Sequence, residues 1–134
     1  SLQRLAELHW LQADTGLARG DLRRFALEQA QKLCEDVLVL DAYVPSVWQL
    51  YAKVLIELDQ LAAASRALEL ARKVRMPLQE IWPLMAQIAW LRRDLDGVRK
   101  YMSRLPDNAA LPHGMRGVAS FWRQRQVAAV DLHV

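Results

Sequence analysis

Self-similarity at a fixed spacing of 34 residues constrains this chain more than any other feature, because a repeat calls for an array of like units. Slid along itself by 34 residues, Val47 meets Ile81, Trp48 meets Trp82 and Leu50 meets Leu84. Tyr51 meets Met85, Ala52 meets Ala86 and Val54 meets Ile88. Further on, Leu61 meets Leu95, Ala64 meets Val98, Leu68 meets Met102 and Ala71 meets Leu105. One more step back, Leu61, Ala64, Leu68 and Ala71 fall on Leu27, Ala30, Cys34 and Val37. Each quartet is spaced 3, 4 and 3, which is one face of an α-helix and not the alternation of a strand.

Each unit divides into two helical runs. The pattern predicts helices over 46–58 and 60–73 in the second unit, and over 79–92 and 95–105 in the third. The breaks, at Asp59-Gln60 and Asp94-Leu95-Asp96-Gly97, are so short that each pair must be an antiparallel hairpin. Pro45, Pro77 and Pro106 mark the joins between units, where a helix cannot continue. Pro83 belongs in a helix's first turn, so its helix should start no earlier than about Leu78. In the first unit Trp10, Ala13 and Leu17 give one helix and Gly20-Asp21 a turn. Trp10 lies 38 residues before Trp48, so about one helical turn is extra here, with Asp21 to Arg24 as its natural place. Met115, Val118, Ala119 and Trp122 mark a further amphipathic helix, expected over about 114–128 as a cap on the last hairpin.

A 34-residue helix–turn–helix unit with an early Trp, then Tyr, Ala and Leu at fixed offsets, resembles the tetratricopeptide repeat family. Trp48, Tyr51, Ala52 and Leu55 stand at its first-helix positions, and Ala64, Leu68 and Ala71 at its second-helix positions. Trp82, Met85, Ala86 and Ala89, then Val98, Met102 and Leu105, repeat them. Met76 stands where the family often has Pro, with Pro77 one later. The resemblance is specific over 44–105, looser over 5–43 and absent from the tail. It implies a single all-α domain over 1–134, a right-handed α-solenoid of about three antiparallel hairpins (about 5–43, 44–77 and 78–106) plus the capping helix.

Composition excludes other classes. At 53% apolar and 25% charged, the 134 residues are rich enough to fold. The longest uncharged runs, Ala42 to Ala52 and Ile81 to Leu91, are 11 residues, against about 20 for a membrane span. One Cys makes neither an internal disulfide nor a multi-Cys metal site. The five glycines form no phosphate-cradling loop, and His9, His113 and His133 show no ligand spacing. A His9/Cys34 nucleophile pair is conceivable, but Cys34 occupies the core position of Leu68 and Met102, where a thiol is inert. The expectation is therefore a protein that is not an enzyme and needs no cofactor or metal. The start at Ser1, without an initiating Met, leaves open whether the chain is a piece of a longer one. A cytoplasmic location is favoured slightly over a piece of a secreted or membrane-tethered protein.

In repeats of the resembled type, the first helix of each unit lines a concave surface used for binding. The implied groove residues are Gln49, Lys53, Ile56 and Glu57, then Gln87, Trp90 and Leu91, with Arg19 from the first unit. Trp48 and Trp82 belong to the core, with Trp10 and Trp122 in like roles at the two ends. Ile56, Trp90 and Leu91 lie off the repeating core face and so form an expected exposed apolar anchor. The expected partner is another protein or peptide, and the chain has the size of a small secretion chaperone or an assembly-scaffold domain. Two alternatives stand beside it. Residues 1–67 carry 7 basic and 9 acidic side chains, a balance of −2, and 68–134 carry 11 and 6, a balance of +5. Arg92, Arg93, Arg99, Lys100 and Arg104 near a Trp suit a nucleic-acid binder, though cations also favour helix C-termini. A structural or homo-oligomeric domain would bury Trp90 and Leu91 against a second copy.

Overall fold

Among the described residues the chain forms six helices at the two-helix spacing of the repeat. In the computed structural model they are α1 (Leu2–Asp14), α2 (Asp21–Leu40), α3 (Pro45–Glu57), α4 (Leu61–Lys73), α5 (Leu78–Leu91) and α6 (Leu95–Met102). The structure describes residues 2–14, 20–106, 109, 111, 115 and 122. Among these there is no strand, and no helix is long and apolar enough to cross a membrane. Most of the expected capping helix at 114–128 lies outside the described residues.

Helix ends follow local chemistry. Pro45 opens α3 at a position where its missing N–H costs nothing. Gly20, at φ +60°, precedes α2, and Asp21 in the first turn favours the positive end of the helix. Asp21 to Arg24, the expected place of the extra turn, open α2, which is 20 residues long against 13 in α4. Asp94 caps α6, its side chain accepting a bond from the Gly97 amide at 3.0 Å.

Three helices end alike. Asp59, Arg75 and Arg93 adopt left-handed φ values of 61°, 67° and 59°. After each, the chain folds back in a six-residue bond: Gln60 N–H to Leu55 C=O, Met76 N–H to Ala71 C=O, and Asp94 N–H to Ala89 C=O, at 2.8, 3.0 and 2.8 Å. Asp59 and Arg93 are one period apart. α5 starts at Leu78 as expected, yet Pro83 is its sixth residue, inside the helix and past the first turn. With no N–H, Pro83 offers Gln79 C=O no helical bond.

The chain divides into two compact units, residues 1–81 and 82–134, with the division inside α5 one residue before Pro83. In the first unit, α1 packs on α2, α2 on α3 and α3 on α4, and α1 also touches α3. One cluster joins Ala13 to Ala26, Leu27, Ala30 and Val54, with Trp10, Leu50 and Leu58 against it. A second joins Ala6 to Cys34 and Val47, with Val37, Val44 and Tyr51 against it. Ala64, Ala67, Leu68 and Ala71 bury one stripe of α4. In the second unit, Ala86, Ala89, Val98, Met102 and Met115 form the core, with Tyr101, Leu105, Leu111 and Trp122 against it. Of the three repeated quartets, Leu27, Ala30, Cys34, Ala64, Leu68, Ala71, Val98 and Met102 are core residues, Val37, Leu61 and Leu105 are half-buried, and Leu95 is exposed.

Candidate functional site

The residues expected to line a groove fall in both units. In the first unit, Gln49, Lys53 and Glu57 of α3 are half-buried. Glu57 is already engaged: its Oε2 accepts from Arg23 of α2 at 2.5 Å. Ile56 departs from expectation. It is 5% exposed, so it is a core residue and not part of an exposed anchor. The reason lies in the place of α3, which packs on α1, α2 and α4. A helix with three neighbours buries most of its circumference, here Val47, Trp48, Ala52, Val54, Leu55 and Ile56. Arg19 lies outside the described residues.

In the second unit, Gln87 is half-buried, while Trp90 and Leu91 are 43% and 47% exposed. Both sit in the last turn of α5. Leu95, which opens α6, is 56% exposed and completes an apolar trio around the α5–α6 turn. Sequence reasoning passed over Leu95 because its period partner, Leu61, belonged to the repeating apolar set. The trio is framed by Arg92, Arg93, Asp94 and Asp96, all exposed. One oxygen of Asp94 is taken up by the α6 cap. Trp90 is one period after the buried Ile56, so one repeat position is core in one copy and surface in the next.

The other tryptophans behave as packing residues. Trp48 and Trp82 are 9% exposed, and Trp10 and Trp122 are half-buried. The Trp48 indole N–H donates to Ala42 C=O at 2.8 Å. Trp82 stacks on Tyr101 with centroids 5.6 Å apart, and the Arg104 guanidinium lies 4.6 Å over the Trp82 ring. Lys100 sits 5.4 Å from the Tyr101 ring centre. Arg92, Arg93, Arg99, Lys100 and Arg104 are all exposed, and the described residues hold no ion pair for them.

Cys34 is fully buried, and burial, aided by the neighbouring Glu35 charge, pushes its thiol from an ordinary 9.0 to about 12. A thiol so placed is protonated at neutral pH and cannot serve as a nucleophile. His9 Nδ1 is buried without a hydrogen-bond partner. Among the described residues no group of three or more His, Cys, Asp or Glu side chains could hold a metal ion. No family model, curated protein or solved structure matches the chain.

Proposed function

We propose that this chain is a non-catalytic protein-interaction module, a tetratricopeptide-like stack of helical hairpins that takes a segment of another protein at Trp90 and Leu91. The observation that carries the reading is the exposed trio of Trp90, Leu91 and Leu95 at one turn. Large apolar side chains gathered on a surface favour contact over water, and a Trp flanked by Arg is the composition of an interface hot spot. Gln87 on the same helix supplies a side-chain amide that can bond an extended peptide. The repeat register of 34 residues and the run of short-linked hairpins support the solenoid form of the reading.

The test is capture from the source lysate with wild type, Trp90→Glu and the control Leu70→Glu, which lies 42% exposed on α4. A protein retained by wild type and by Leu70→Glu but lost with Trp90→Glu supports the module. Equal retention by all three removes it.

A second reading rests on a separate observation. Five exposed cations of the second unit face two carboxylates, Asp94 and Asp96, over residues 82–106. Such a surface suits an anionic partner, with nucleic acid the leading case. Phosphate binding falls steeply with salt, whereas docking on the apolar trio changes little between about 50 and 200 mM salt. A steep fall in affinity over that range favours the nucleic-acid reading.

A further inference from the structure

The helix α6 is core on one side and cationic on another. Val98 and Met102 are buried, while Arg99, Lys100 and, just beyond the helix, Arg104 are exposed. The negative end of a helix favours cations in its last turn, and α4 ends the same way with Arg72 and Lys73. What sets α6 apart is the pair of rings beneath its cations. Trp82 and Tyr101 stack with centroids 5.6 Å apart and planes 25° apart. The Arg104 guanidinium lies 4.6 Å from the Trp82 ring centre and 5.9 Å from that of Tyr101, and Lys100 Nζ lies 5.4 Å from the Tyr101 ring centre.

This arrangement prepares the cations for phosphate. A guanidinium resting on a ring keeps its N–H donors at its edge, where they can fork onto two oxygens of one phosphate. The rings belong to the core of the second unit, with Trp82 buried and Tyr101 packed against Val98 and Met102. A cation held on them has less side-chain freedom to lose on binding than one that moves free in water. No carboxylate competes, since the described residues hold no ion pair for Arg99, Lys100 or Arg104. The nearest acids in sequence, Asp94 and Asp96, stand at the other end of α6, where Asp94 bonds the Gly97 amide. A duplex offers two rows of phosphates, one on each side of a groove. With acids at one end and cations at the other, an eight-residue helix meets one row only, which is what a single strand presents.

We propose that Arg99, Lys100 and Arg104, set on the Trp82–Tyr101 pair, bind the phosphates of a single-stranded nucleic acid. This rests on the nucleic-acid reading of the basic surface and narrows it to one strand form and one end of α6. The contact is separate from the Trp90 turn, and either can fail without the other.

The probe is a fluorescein-labelled oligothymidylate of about twelve nucleotides, its binding to the full chain followed by fluorescence anisotropy. A Kd below about 100 μM is expected at about 50 mM salt, with log affinity falling against log salt at a slope of about −2, the value for three phosphates of a single strand. Arg104→Gln should weaken binding at least about threefold and bring the slope to about −1.4, and Arg99→Gln/Lys100→Gln should bring it to about −0.7. Lys73→Gln, at the end of α4 without a ring pair, and Trp90→Glu should leave affinity and slope unchanged. Thermal melts establish that each variant is folded. Binding that both α6 variants leave intact, or that Trp90→Glu abolishes, overturns the proposal while the basic surface keeps its nucleic-acid reading. Equal affinity for a duplex of the same length overturns the choice of a single strand. Displacement of the strand by poly-glutamate at an equal concentration of charge also overturns it, in favour of an acidic protein segment. No binding of strand or duplex removes the nucleic-acid reading together with the proposal.

Discussion

At the scale of single residues, burial separates side chains that the repeat alone treats alike. Ile56 and Trp90 share a repeat position, yet one is core and the other surface. Their apolar nature was legible in the sequence. Their environments were not, because burial depends on how many helices pack around a position, which the repeat does not state. Cys34 was legible on both counts, since its quartet fixes the face it occupies. Its buried thiol should resist Ellman's reagent in the native protein and react only as fast as the protein opens, measured as absorbance against time. Rapid stoichiometric reaction of the folded protein would contradict its burial. The raised thiol also carries a pH dependence. Above pH 9.0 the unfolded thiol ionises while the folded one stays protonated to about 12, so stability should fall as pH rises through that window. Denaturant midpoints across the window should fall less steeply for Cys34→Ala than for wild type. Buried His9 Nδ1, without a partner, costs free energy in the folded state. His9→Met should therefore raise stability by about 1 kcal/mol in urea unfolding, and a loss of that size would show an unseen role for the imidazole.

At the scale of elements, helix positions were readable because apolar spacing and prolines state them directly. The α3 and α5 bounds fall within about a residue of the periodic pattern. The helix ends were less readable. A left-handed residue is normally Gly, and here Asp59, Arg75 and Arg93 take that role, so nothing in the composition of these turns announced them. Each should be improved by Gly. Arg93→Gly and Asp59→Gly are expected to stabilise by about 0.5–1 kcal/mol in urea unfolding, and destabilisation would show that the side chains contribute more than their backbone strain. The α5–α6 turn gives the opposite case. A Cβ on Gly97 would lie 2.5 Å from Asp94 Oδ2 and 3.0 Å from Ala89 Cβ. Gly97→Val should cost about 2–3 kcal/mol and Asp94→Ala about 1 kcal/mol, the first from overpacking and the second from the lost cap. Pro83 shows the limit of a one-residue rule: proline stands inside α5 with its ring buried, and packing outweighs the missing bond.

At the scale of the whole molecule, the all-helical architecture was legible because three copies of one helix face leave no room for a sheet. The exposed leucines of α1 were not, since in sequence a leucine face in water reads the same as one in a core. Of the residues expected to form an exposed anchor, Trp90 and Leu91 are exposed, as their departure from the repeating face implied, Ile56 is buried, and the exposure of Leu95 was hidden because it belongs to the repeating face. The central claim is that the Trp90 turn is a contact surface for another protein. Its most direct test is the affinity of the captured partner for wild type and for Trp90→Glu, measured at about 50 and 200 mM salt beside thermal melts of both proteins. The account predicts at least about a tenfold loss with Trp90→Glu, unchanged melting and little salt dependence. Equal affinity for the two proteins, or a steep fall with salt that both share, would contradict it.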